Sequence, residues 1–226
     1  MNVKLEELNE MISLFGEIYE LVNLKCSSYH YAQEGLRRRH RESTVYLRED
    51  FIEHQKAKWI YTYPVIAATY KHELAGKVER AYQLWLKFRE EIDEELRRAG
   101  LAWSDIDQAL SVLAAASKIE DLLSSSEGMR AIQASSIAMA KAQFNLTSIP
   151  ITLGVIAPII NPENSHTYIE EAEKAYKIIA IAHLRKTIEK SSIGFSSTEA
   201  HEIHDKLKAI KEAINNMKSA LRHTHP

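Results

Sequence analysis

Mostly apolar side chains recur every three or four residues from Leu5 to Leu36, through Leu8, Ile12, Phe15, Tyr19, Val22, Cys26, Tyr29 and Gln33. That stepping keeps one stripe on one side of an α-helix, and at 1.5 Å per residue the stretch is roughly 50 Å long. The pattern predicts a first helix from about Val3 to His40 whose stripe must be covered, either by later helices or by a second copy of the chain. Tyr19, Cys26, Tyr29 and Gln33 suit a strict two-stranded coiled coil less well than Leu or Ile, so a globular bundle with a protruding or dimerising end is the simpler expectation.

The same period continues with few interruptions. Thr44 to Tyr63 offers Leu47, Phe51 and Ile60, then meets Pro64, which ends or kinks a helix. From Val65 to Ala99 the stripe runs through Ala75, Val78, Tyr82, Trp85, Ile92 and Leu96, and Gly100 supplies a stop. Ser104, with Asp107 three residues on, opens a helix carrying Ile106, Leu110, Leu113, Ile119 and Leu122, closed by the serines at 124–126. A small-residue helix follows from about Glu127 to Phe144. Ser165 caps a helix to about Lys190, bearing Ile169, Ala172, Tyr176, Ile179 and Ile188. The last helix starts near Ser196 or Ser197 with the stripe Ile203, Leu207, Ile210, Ile214, Met217 and Leu221.

Ile149 to Ile160 departs from the pattern: it is apolar except for Thr152 and is punctuated by Pro150, Gly154 and Pro158. Proline and glycine make a regular helix costly, so an extended or irregular course across the bundle is expected. Buried, it plugs the bundle; exposed, Ile151, Leu153, Val155 and Ile156 form a docking strip for a partner subunit. Membrane contact is the least favoured reading, because the flanks carry little positive charge. The whole chain, 1–226, therefore reads as an all-α, single-domain bundle of about six or seven helices, with any subdivision falling near 148–164.

Composition agrees. Seven Gly and five Pro make about 5% of the chain against roughly 12% in average usage, too few for the turns of a sheet protein. Lys and Arg number 29 against 31 Asp and Glu, so no global field draws the protein to polyanions. The single cysteine, Cys26, forms no internal disulfide. The first residues lack the pattern of a secretory signal and no run approaches the roughly 20 apolar residues of a membrane span, so a cytoplasmic protein is expected.

The strongest local charge feature is Arg37, Arg38, Arg39, His40 and Arg41, followed by Lys56, Lys58 and Trp59 with Tyr61 and Tyr63: guanidinium forks for phosphate and rings for base stacking, a candidate nucleic-acid surface. Against it stands the acidic run Glu90, Glu91, Asp93, Glu94 and Glu95. The two clusters share one end of the bundle if the first and third helices run parallel, and lie apart otherwise. Histidine and carboxylate pairs at one-turn spacing (His30 with Glu34, Asp50 with His54, His201 with His204 and Asp205) raise a metal-dependent helical enzyme as a further alternative. The two Glu-x-x-His motifs of a bundle di-metal site are not there, and Glu163 with His166 falls at a loop. No nucleophile elbow, Walker loop or dinucleotide fingerprint occurs. The favoured expectation is a non-enzymatic assembly or protein-interaction subunit, without cofactor, partnered by itself or another subunit. Its candidate contact residues are Leu8, Ile12, Phe15, Tyr19 and Val22 on the first helix and Ile151, Leu153, Val155 and Ile156 on the apolar strip.

Overall fold

In the computed structural model, described for residues 3–37, 58–142, 146–191 and 197–224, every regular element is helical. Helix α1 spans Leu5–Arg37; a π turn, Lys58–Thr62, runs into α2, Tyr63–Thr69. Then come α3 (Lys71–Arg98), α4 (Trp103–Ala115), α5 (Ile119–Leu123) and α6 (Ser126–Ala142). Helix α7 (Ser148–Ile151), a second π turn (Thr152–Ile156) and α8 (Ala157–Ile160) follow without a break, and a 3-10 turn at Pro162–Asn164 leads to α9 (Ser165–Ser191) and α10 (Ser197–Thr224). Buried side chains from Leu8 to Ile214 form one connected core.

The long first helix is present, and its apolar edge is covered from within the chain by α2, α3, α7 and the second π turn. The buried line is Leu8, Met11, Phe15, Ile18 and Val22, rotated slightly from the stripe expected from sequence. Ile12 and Tyr19 are half-buried flanks, and Leu5 is exposed. Both lines step by three and four, so spacing alone does not choose between them. Neighbours do: α2 lies along the flank, where the Tyr63 ring meets Tyr19 edge-on at 6.5 Å and its hydroxyl donates to Asn23 at 3.1 Å.

Helix α3 runs antiparallel to α1. Lys77 pairs with Glu17 at 2.6 Å, Arg80 with Glu10 at 2.8 Å and Lys87 with Glu7 at 2.9 Å, numbers rising on one helix as they fall on the other. Lys25 closes the series with its ammonium 5.1 Å from the Tyr70 ring centre, just before α3 starts. The acidic run of α3 therefore lies at the opposite end of the pair from the end of α1 at Arg37. It is met locally: Lys141 reaches Glu95 at 2.8 Å, Arg98 and Arg97 hold Glu94, and the Val3 amide donates to Glu91.

Helix α9 sits at the centre, touching α4, α6, α7, α8, α10 and the second π turn. Such surroundings need apolar side chains on most sides, which Ile169, Ala172, Ala175, Ile178, Ile179 and Ile181 supply.

Of the extended or irregular course expected for the apolar segment 149–160, the structure shows a helical one that is irregular, and Ile149 to Pro158 are all buried. Its irregularity is the π turn. A proline in a helix lacks an N–H and its ring collides with the carbonyl four residues earlier, here that of Gly154. Widening the turn to five residues moves that carbonyl aside, so the chain stays helical through Pro158. The same solution recurs at Pro64, which sits in the first turn of α2 directly after the π turn at Lys58–Thr62. Gly154 is needed for a second reason: a Cβ there would lie 3.2 Å from Ala172 Cβ and 3.3 Å from Ile214 Cγ1.

Two further boundaries differ in detail. The helix expected across 104–123 is broken at Ala116–Lys118 into α4 and α5. Asp105, rather than Ser104, caps the first, accepting the Ala102 amide at 2.8 Å. Asp121 caps the second, accepting from the Ser117 hydroxyl at 2.9 Å and the Lys118 amide at 3.1 Å. Gly100 ends α3 as expected, at φ 66°, with the Leu101 amide donating back to Leu96 at 2.8 Å.

At the α5–α6 corner a Cβ on Gly128 would lie 2.0 Å from the Leu122 carbonyl oxygen. Gly128→Ala is expected to destabilise the fold by about 1–3 kcal/mol in urea titrations, because the obstacle is backbone. Gly76→Ala, in mid-α3 with open space around it, is expected to stabilise it by about 0.5–1 kcal/mol. The carboxyls of Glu7, Glu10 and Glu17 are held below their ordinary value of 4.5 by the bonds from Lys87, Arg80 and Lys77. Their contribution is complete above that value and is lost as pH falls through the lowered values. Chemical denaturation midpoints should therefore drop on acidification below about pH 4.5, and less so in a Glu10→Gln, Glu17→Gln variant; equal slopes would remove the ladder from the account.

Candidate functional site

The described chain offers three places where chemistry could gather: a buried polar ring between α3, α4 and α9, a charged cleft at the end of α3, and an uncovered apolar face on the first π turn and α2.

The ring is built around Glu171, which α9 carries into the core with about 5% of its surface exposed. Trp85 Nε1 donates to its Oε2 at 2.8 Å and Lys174 Nζ to its Oε1 at 2.9 Å. Arg89 Nε stands 2.9 Å from Oε2 as an ion pair, with its N–H off the line of a hydrogen bond. The Arg89 guanidinium also grips Asp93, which accepts the Trp103 indole N–H at 2.6 Å. Lys174 closes the ring, its ammonium 6.0 Å from the Trp103 ring centre. Beside it Tyr82 and Tyr168 meet edge-on at 4.7 Å, and the Tyr168 hydroxyl donates to Glu79 at 3.3 Å. Burial first, then the Glu171 charge for Tyr82 and the Glu79 charge for Tyr168, pushes both phenols up and favours their protonated form. Both Glu171 oxygens are occupied by donors of the chain itself. Buried and held by Trp85, Arg89 and Lys174, Glu171 ties α3 to α9. The sequence carried a faint signal of it: Glu171 stands between Ile169 and Ala172 on a helix whose apolar residues surround it.

The cleft, of about 700 Å³, is lined by Glu7, Lys87, Glu91, Glu94, Glu95 and Lys141 among others. Its walls carry both signs of charge.

On the first π turn and α2, side chains divide by face. Trp59 and Tyr63 point inward, while Tyr61 is 70% and Val65 60% exposed, one turn apart. Trp59 is therefore a core residue at 6% exposure, which corrects its place among the rings offered to bases. Arg38, Arg39, Arg41 and Lys56, and the side chains of Arg37 and Lys58, lie outside the described residues. Of the contact candidates, Leu8, Phe15, Val22, Ile151, Leu153, Val155 and Ile156 are buried by the same chain, and Ile12 and Tyr19 are half-buried against it. The apolar strip is thus a plug of the bundle within this chain, and no part of it from Ile151 to Ile156 is presented as a surface.

Among the described residues no group of three His, Cys, Asp or Glu is arranged to hold a metal ion. Asp205 is buried; Asp50 and His54, and the side chains of His30, Glu34, His201 and His204, lie outside the described residues. His166 turns to Glu170 at 3.3 Å, one turn further along α9, rather than to Glu163. No described helix is long and apolar enough to cross a membrane. The chain matches no protein-family model, no curated protein and no solved structure.

Truncating Glu171 strands Arg89, Lys174 and the Trp85 indole around a void. Glu171→Ala is expected to cost about 3–5 kcal/mol in equilibrium unfolding. A cycle with Arg89→Met should show strong coupling, the double variant losing less than the sum of the single ones; additive losses would mean that the two groups do not depend on each other.

Proposed function

We propose that this chain is a non-enzymatic helical assembly subunit that pairs with a second copy of itself through the Tyr61 and Val65 face. One observation carries the reading: an aromatic and a β-branched side chain, at 70% and 60% exposure, stand together on an element whose opposite face is fully buried. Tyrosine is enriched at protein contacts, where its ring supplies apolar area and its hydroxyl stays wet at the rim. The apolar edge of α1 and the 149–160 segment are consumed by the chain's own core, so a contact between copies has to use another surface. Leu24 on α1 and Leu123 and Met129 at the α5–α6 corner are also exposed, but none stands one turn from another on a single helical face.

Light scattering across a concentration series tests the proposal. The chain is expected above its monomer mass of 25.8 kDa at micromolar concentration, and a Tyr61→Asp, Val65→Asp variant at 25.8 kDa with an unchanged helical circular dichroism spectrum. A native chain that stays at monomer mass throughout, or a double variant that keeps the higher mass, would overturn it.

A further inference from the structure

We draw no further inference here: the strongest candidate, the mixed-charge cleft of about 700 Å³ between the start of α1, the end of α3 and Lys141 of α6, is a cluster of carboxylates met by Lys87, Lys141, Arg97 and Arg98 of the same chain, and nothing in the structure points to a ligand there.

Discussion

A carboxylate cannot be taken out of water alone. The cost of desolvating such an ion is several kcal/mol even after relaxation, and it is recovered only when donors and opposite charge meet it in good geometry. Glu171 meets that condition with one indole, one guanidinium and one ammonium, drawn from α3 and α9, and the ring reaches α4 through Asp93 and Trp103. Three helices must therefore hold a common register. Turning any of them by one residue swings its side chains through about 100° and leaves a buried charge unmet. Apolar packing around α9 supplies most of the attraction, and the ring restricts which packing is tolerated.

Much of this was legible beforehand, and the failures have physical reasons. Gly100 stops α3 because a left-handed residue is needed there, and glycine is the residue that supplies it without strain. The α1 edge was found because a period near 3.6 is hard to produce by accident over 30 residues. Its rotation is not legible because Met11 beside Ile12 and Ile18 beside Tyr19 both offer large side chains that can pack, and the position of α2 decides between them. The break between α4 and α5 is hidden in the sequence because Ser117, Lys118 and Asp121 fit a continuous helix while also making a cap. Glu171 was invisible as a site because a lone acid on an apolar helix says nothing of Trp85 and Arg89, which lie more than eighty positions earlier.

The charge pattern shows how orientation decides the meaning of a sequence feature. Five acids near the end of α3 and the four arginines between positions 37 and 41 invite pairing on paper. Antiparallel packing sets the acids at the other end of the pair from Arg37, and Glu91, Asp93, Glu94 and Glu95 instead find cations beside them. Trp59, Tyr61 and Tyr63 form a run of rings in the sequence, but a helix turns residues two positions apart to nearly opposite sides, so alternate members of that run serve the core and the surface.

The two π turns carry a last implication. Each stands immediately before a residue that precedes proline, and each spends one extra residue to carry the helix past a missing amide. In the second, that extra residue also sets which way every later side chain of α8 faces. Spacing along this buried strand of chain is consequently as binding as identity. Exchanging one aliphatic group for another there disturbs a few contacts, whereas losing a single position would restore the collision at Pro158, and losing or gaining one would rotate everything that follows away from its neighbours.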